Sequence, residues 1–185
     1  MNTTFPRAKR TDIGYSQAQV IEFLEKARVA YDNDIAGAVG LTSADIRQTS
    51  FATEKGGFSC RHVDTALERL ETAFAERERA IALATQGEAA WLEQSRKKAE
   101  ELTARFGRAP KHRFDRVNFV VPGYSVKDVD AFADKVSAYL TKGEPLTIGQ
   151  VRSASFGSSR GGYNEVQVDA VLDALVDLML SVGQS

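Results

Sequence analysis

The chain has 185 residues, a formal net charge of −1 and the composition of a globular protein. This balance gives no global attraction to nucleic acid, and a single cysteine excludes an internal disulfide framework. No signal peptide or membrane-spanning run is predicted, because aspartates interrupt the most apolar stretch, residues 166–182. We therefore expect a cytoplasmic protein that meets a membrane only peripherally.

A short signature that occurs four times predicts where four helices begin. In each copy a glycine precedes an aromatic residue, and the next residue is a Ser or Asn that can cap a helix. A valine follows five residues after the aromatic residue, which is the N′-to-N4 spacing of a hydrophobic staple. Gln19, Asp128 and Gln167 lie three residues after the cap, where a side chain can close a capping box. The copies are Gly14-Tyr15-Ser16 with Val20, Gly57-Phe58-Ser59 with Val63, Gly123-Tyr124-Ser125 with Val129, and Gly162-Tyr163-Asn164 with Val168.

The first half of the chain is predicted to contain three helices. One covers about residues 16–34, and a short one, at residues 41–47, begins with a capping box. The third covers about residues 59–106, because no proline interrupts it before Pro110. Gly87 is its weak point, since glycine in a helix interior costs about 1 kcal/mol relative to alanine.

The second half repeats the first. Residues 146–152 copy residues 41–47, and the aromatic residues of the two halves are offset by either 109 or 105 positions. We therefore expect two tandem halves, residues 1–110 and 111–185, each with two related repeats. No stretch alternates apolar and polar residues long enough to indicate a strand, so the predicted fold is all-α.

Two apolar surfaces are predicted to bury seams between the halves or between chains. One lies on the helix that begins after Ser59, and the other lies on the last helix, which is apolar on most of its faces. An internal pseudo-dimer and a homo-oligomer are both compatible with these surfaces. The seam residues are Leu67, Leu70, Phe74 and Ile81 on the first helix, and Val171, Leu175 and Leu178 on the second.

The second and fourth repeats resemble the N-terminal domain of the DivIVA family of bacterial cell-division and polar-growth scaffolds. The shared pattern is Leu-Thr, a short helix, a Phe, a loop closing on Gly-aromatic, and a helix opening with Val-Asp and then Leu. The first and third repeats lack the Leu-Thr opening. The pattern reads Leu41, Thr42, Ile46, Phe51, Gly57, Phe58, Val63, Asp64 and Leu67, and again Leu146, Thr147, Val151, Phe156, Gly162, Tyr163, Val168, Asp169 and Leu172.

The resemblance implies a peripheral membrane scaffold whose helices pair in a coiled coil. It also implies a loop before Gly-Tyr that inserts an aromatic residue and an arginine into the bilayer. No copy here has that Phe-Arg pair. Phe119, Val120 and Val121 are the nearest apolar substitute, and Lys55 and Arg160 are placed to meet phosphate headgroups. One apolar tip gives only marginal membrane affinity, and stable attachment needs a second signal.

These features predict a non-enzymatic scaffold or adaptor that acts in bacterial cell division or polar growth, at the septum or pole. Its expected partners are itself, other division or envelope proteins and an anionic membrane. The alternative is a soluble protein-interaction regulator without membrane binding. A third hypothesis is nucleic-acid binding through the basic segment of residues 96–116. No catalytic, cofactor or metal site is predicted, since His62 and His112 lie apart from other ligand-type residues.

Overall fold

The computed structural model describes residues 5–32 and 40–183, which form seven helices and four short strands. A mostly helical protein is thus confirmed, and the strands correct the all-α expectation. Each strand has only three residues, which is too few for an alternating pattern to be recognised. The helices are α1 (Gln17–Asp32), α2 (Ser43–Arg47), α3 (Cys60–Gln86), α4 (Glu88–Phe106), α5 (Val126–Lys142), α6 (Ile148–Arg152) and α7 (Glu165–Ser181). The strands are β1 (Ile13–Tyr15), β2 (Thr53–Lys55), β3 (Pro122–Tyr124) and β4 (Ser158–Arg160).

The strands form two separate antiparallel ribbons with the same layout. β1 pairs with β2, and β3 pairs with β4. Gly14 lies opposite Glu54 in the first ribbon, and Gly123 lies opposite Ser159 in the second. Each ribbon joins a Gly-aromatic segment to the loop that precedes the next Gly-aromatic segment, so it connects two copies of the signature.

The chain divides into two compact units, Met1–Ala82 and Leu83–Ser185, called unit 1 and unit 2 below. The boundary expected from the sequence lies further along, between residues 110 and 111. The difference concerns α4, which packs on α5 and α7 and so belongs with the second pair of repeats. Sequence periodicity gave no sign of this packing, because α4 has no counterpart in the repeat pattern.

The helix predicted over residues 59–106 is broken in two at Gly87. α3 ends at Gln86, and the φ angle of Gly87 is +84°, a left-handed conformation that favours glycine. The Gly87 N–H donates to the Leu83 carbonyl at 3.1 Å, and the Gly87 carbonyl accepts the Trp91 N–H at 3.1 Å. The glycine therefore ends one helix and begins the next with little loss of backbone hydrogen bonding.

The signature residues lie in the cores. In unit 1, Val20, Phe58 and Val63 form a buried cluster against which Tyr15 packs. In unit 2, the equivalent Val129, Tyr163 and Val168 are also buried. Among residues 5–32 and 40–183, no helix combines the length and apolarity needed to cross a bilayer.

Candidate functional site

The four copies of the signature are joined in pairs, one pair in each unit. In unit 1 the Tyr15 N–H donates to the Phe58 carbonyl at 2.9 Å, and the Phe58 N–H donates to the Tyr15 carbonyl at 2.9 Å. In unit 2, Tyr124 and Tyr163 exchange the same two hydrogen bonds at 3.0 and 2.9 Å. Two Gly-aromatic segments therefore cross within each unit, and each aromatic residue satisfies the backbone of its counterpart.

The crossing explains the glycines. A Cβ atom on Gly57 would lie 2.4 Å from the Tyr15 carbonyl oxygen, and one on Gly162 would lie 2.3 Å from that of Tyr124. Gly14 and Gly123 face equally close contacts of 2.4 Å. Only a residue without a side chain allows the two backbones to approach this closely. The sequence interpretation treated each glycine as part of a local helix start and missed this long-range requirement.

None of the three capping boxes predicted at Gln19, Asp128 and Gln167 forms, because each of these side chains, and the N–H group of each cap residue, bonds to another segment instead. Ser125 and Asn164 do cap α5 and α7, accepting the N–H groups of Asp128 and Gln167. The Asp128 carboxylate, however, accepts the Gly157 N–H at 3.1 Å. Complete capping boxes are present at the two short helices. Asp45 bonds back to Thr42 at the start of α2, and Gln150 bonds back to Thr147 at the start of α6.

Polar side chains near the helix starts thus tie the two copies of each unit together. The Gln19 side chain accepts the Ala52 N–H at 2.7 Å in unit 1. In unit 2 the Gln167 side chain accepts the Asp115 N–H at 3.0 Å and donates to the Asp115 carboxylate at 2.7 Å. These hydrogen bonds join residues 33 to 52 positions apart, so local spacing alone gave no sign of them.

Aromatic contacts repeat in the two units at matching positions. Each unit has one ring pair beside the crossing and a second group in which a single Phe packs between two other rings. Every member in unit 2 lies 109 or 105 residues after its equivalent in unit 1. The centroid distances are Phe5–Phe58 5.5 Å, Tyr15–Phe51 5.5 Å and Phe23–Phe51 5.7 Å, against Phe114–Tyr163 5.4 Å, Tyr124–Phe156 5.2 Å and Phe132–Phe156 5.9 Å.

Unit 2 adds a buried polar network at its crossing. The Tyr163 hydroxyl donates to the Asp130 carboxylate at 3.0 Å, and burial, aided by this bond, raises the pKa of Tyr163. The second Asp130 oxygen accepts the Lys111 N–H at 2.8 Å. Arg113, only 4% exposed, donates to the Asp130 carbonyl and to the Asp134 carboxylate. Each charged group is paired, so the network ties residues 111–113 to α5 and α7.

The candidate membrane contacts fall on the two loop tips beside the crossings. In unit 2, Phe119 is 79% exposed, and Val120 and Val121 are exposed next to it. Arg160 lies opposite Pro122 in the ribbon, so the structure brings an exposed basic side chain alongside this apolar tip.

The equivalent tip of unit 1 is polar. Lys9, Arg10 and Asp12 occupy it, and the turn closes with a hydrogen bond from the Asp12 N–H to the Lys9 carbonyl at 2.7 Å. Lys55 lies opposite the exposed Ile13. The two candidate basic residues, Lys55 and Arg160, therefore belong to two different tips.

The predicted seam residues are all at least partly buried in the folded chain. Phe74, Leu175 and Leu178 are buried. Leu67 packs against the core cluster of unit 1. Leu70, Ile81 and Val171 are half-buried.

The basic segment is not one exposed surface. Arg96 pairs with Glu93 and Glu100 along α4, and its guanidinium lowers the pKa of Glu93. Arg113 is buried in the network around Asp130. Part of the positive charge counted in the sequence is therefore neutralised within the chain.

Comparison with known proteins gives no relative for this chain. No family model, no curated protein and no solved structure matches it. Within residues 5–32 and 40–183, no group of three or more His, Cys, Asp or Glu side chains is placed to hold a metal ion. The role of the chain has to be inferred from its own residues and their geometry.

Proposed function

We propose that this chain is a non-enzymatic scaffold or adaptor of the DivIVA-like type that acts in bacterial cell division or polar growth. It works by association of helical surfaces and by peripheral contact with an anionic membrane. One observation carries the proposal: the residues that give the resemblance form the same crossed framework in both units. Gly57 in unit 1 and Gly162 in unit 2 allow the close backbone approach, and Phe58 and Tyr163 exchange the backbone hydrogen bonds of the crossing.

Each crossing has the character of a dimer contact. The two segments exchange the same pair of hydrogen bonds, which is the reciprocity of an interface between two equal partners. In unit 1 one partner begins with Leu41-Thr42 and α2, whereas the other lacks this opening. Each unit is therefore an internal pseudo-dimer, and a chain built from two such pairs is suited to holding partners rather than to enclosing a substrate.

The tip of unit 2 supports membrane contact. Its three consecutive exposed apolar residues, 119–121, are presented at the end of a ribbon that is tied down by hydrogen bonds at its base. The Arg116 side chain donates to the Gly161 carbonyl at 2.6 Å and so fixes the loop at its base. Arg160 beside the tip adds a charge that favours anionic headgroups.

A soluble regulator remains the second candidate, favoured by the tip of unit 1. That tip presents Arg10, Thr11 and Asp12 where unit 2 presents Phe119, Val120 and Val121. A chain with one apolar tip falls in the range of marginal, reversible membrane binding. Nucleic-acid binding has less support, because Arg96 and Arg113 are engaged in ion pairs.

Co-sedimentation with anionic vesicles at physiological salt tests the membrane contact. We expect the full chain to pellet with the vesicles, and F119D/V120D to reduce the bound fraction about tenfold, because inserting a charge removes the apolar contact. I13D in the tip of unit 1 is the matched control and should have little effect. Absence of binding by the unmodified chain would favour the soluble regulator.

Localisation tests the scaffold role itself. A fluorescent fusion of the full chain in its native host should form septal or polar foci, and sedimentation velocity of the purified chain should show self-association that increases with concentration. A diffuse signal together with a monomer at all concentrations would contradict the proposal.

A further inference from the structure

Unit 1 has an open groove at a surface that is partly covered in unit 2. The groove has a volume of about 620 Å³ and lies between Phe5 and one side of α3. Its apolar floor includes Phe5 and Ala66. Three basic side chains, Arg61, His62 and Arg69, line it and are exposed, and no carboxylate is among the described residues that form its wall.

The equivalent surface of unit 2 holds a helix. Val171 and Ala174 on α7 correspond to Ala66 and Arg69 on α3, and they share a cavity of about 340 Å³ with Leu102 and Arg105 of α4. Val166, the equivalent of Arg61, is 77% exposed and lies outside this cavity. α4 packs along both α7 and α5. The internal duplication thus shows what this kind of surface accepts, because part of one of its two copies is occupied by a helix of the same chain.

The aromatic residue at the end of the groove makes the same point. Phe114 is 4% exposed in unit 2, since Phe106 of α4 packs edge-on against it at 6.5 Å and the Arg105 guanidinium lies 5.9 Å from its ring. Its equivalent Phe5 is only half-buried. In the described part of unit 1, no helix takes the place of α4.

The charge of the groove selects its occupant. Where α7 presents the neutral Val166, Gln167 and Ala174, α3 presents Arg61, His62 and Arg69. A partner that fills the groove must therefore place carboxylates opposite these groups. A second copy of α4 is a poor fit, because two of the three charged residues that it turns toward α7, Lys98 and Arg105, are basic.

We infer that the groove of unit 1 is a docking site for an acidic amphipathic helix of a partner protein, bound as α4 is bound in unit 2. Its apolar face would cover Phe5 and Ala66, and its carboxylates would pair with Arg61 and Arg69. The inference rests on the proposed scaffold role, for which it names the chemical class of a partner.

A peptide made from α4 tests the inference. The probe is a fluorescein-labelled 19-residue peptide with the sequence of residues 88–106 and the changes K98E and R105E, and the control probe is the unchanged sequence. In fluorescence anisotropy at low salt, the full chain should bind the acidic probe at least about tenfold more tightly than the control probe, because close charge pairs at an interface are attractive or repulsive according to sign.

Charge reversal in the groove should change this preference. The R61E/R69E variant should bind the acidic probe about tenfold more weakly and favour the control probe. K9E/R10E changes the net charge by the same amount outside the groove and should stay within about twofold of the unmodified chain. Both variants replace exposed residues, and unchanged circular dichroism and thermal unfolding would show that they fold.

The position of the bound probe is read from amide chemical shifts. Shifts are expected at Ala66 and Arg69 in unit 1 and not at Val171 and Ala174 in unit 2, where displacement of α4 would be seen. Failure to bind at concentrations up to about 1 mM, or equal binding to R61E/R69E, would overturn the inference.

Two further outcomes would replace the inference with another occupant. Loss of vesicle pelleting in R61E/R69E without peptide binding would assign the groove to anionic lipid. A fall in sedimenting mass in the same variant would assign it to a second copy of the chain. If the chain forms foci and self-associates but binds no peptide, the docking site is contradicted and the scaffold proposal stands. If it binds the peptide but is monomeric and diffuse in the cell, the scaffold proposal is contradicted and the docking site stands.

Discussion

Units 1 and 2 share one framework but hold their short helices by different chemistry. In unit 1, α2 is tied to α3 by an ion pair between Arg47 and Glu71 at 2.7 Å, with both side chains largely buried. In unit 2 the positions of Ser43 and Glu71 are taken by Ile148 and Val176, which are buried apolar residues, while the position of Arg47 keeps an arginine, Arg152. The comparison teaches that the arginine is kept in both joints, whereas the position that faces it in unit 1 can hold either a paired carboxylate or a buried apolar side chain.

The units also differ in what surrounds the crossing. Ile21 on α1 is 54% exposed, whereas its equivalent on α5, Asp130, is 9% exposed. Tyr163 supplies a hydroxyl to Asp130, and its equivalent Phe58 has none to supply. The framework therefore tolerates an open apolar surface in one unit and a closed polar network in the other, because neither takes part in the backbone crossing itself.

Removing a crossing glycine should have the largest effect in either unit. Gly162→Ala places a Cβ atom 2.3 Å from the Tyr124 carbonyl, a contact that neither backbone can relieve without breaking hydrogen bonds. We expect a loss of about 3 kcal/mol or more in the free energy of unfolding, measured by urea denaturation. Gly57→Ala should cost a similar amount in unit 1.

Gly149→Ala in α6 is the matched control for both glycine variants. Its Cβ atom would meet only the Thr147 hydroxyl oxygen, at 3.9 Å. Stability should be unchanged or slightly increased, by up to about 1 kcal/mol, because alanine is the better helix former. A Gly162→Ala protein as stable as Gly149→Ala would show that the crossing is not a close backbone contact.

Substitutions in the joint between α2 and α3 should cause the next largest loss in the free energy of unfolding. Glu71→Ala leaves the Arg47 charge buried without its carboxylate, and we expect a loss of about 3 kcal/mol. Val176→Ala, the equivalent change in unit 2, removes only apolar volume and should cost about 2 kcal/mol.

A double replacement sharpens the comparison of the two joints. R47M/E71V replaces both members of the buried ion pair by apolar side chains, and it should be nearly as stable as the unmodified chain. A double variant as unstable as Glu71→Ala would mean that the ion pair is required in unit 1 for more than filling the interface.

The smallest expected effect is a pH dependence that only unit 1 shows. Hydrogen bonds from Thr42 lower the pKa of Asp45 below its ordinary 3.8, whereas the equivalent Gln150 does not titrate. The carboxylate therefore stabilises α2 above pH 3.8, and this contribution is lost as the pH falls through the lower folded pKa.

Amide chemical shifts should report this titration. The amides of Thr42 and Asp45 are expected to shift on acidification, and those of Thr147 and Gln150 are expected to stay constant. Asp45→Asn should abolish the shift at α2, because an amide can cap without titrating. Matching titrations at both short helices would contradict the role given to Asp45.

Several features were predictable because they depend on neighbours in sequence. The capping boxes at Thr42 and Thr147, the break at Gly87 and the mostly helical fold all follow from residues a few positions apart. The 109- and 105-residue offsets identified equivalent aromatic residues before any contact was known. The strands were missed, because three-residue segments carry no periodic signal.

The sequence by itself determined that one signature is used four times and that each copy begins a helix. Only the tertiary structure decided that the copies are crossed in pairs, and that Gly14, Gly57, Gly123 and Gly162 are needed for close backbone approach. The same holds for α4, which packs along α7, while the equivalent side of α3 has an open groove. The physical reason is distance along the chain: a cap or a staple is set within five residues, whereas a backbone crossing and a helix docking site bring together residues far apart in sequence.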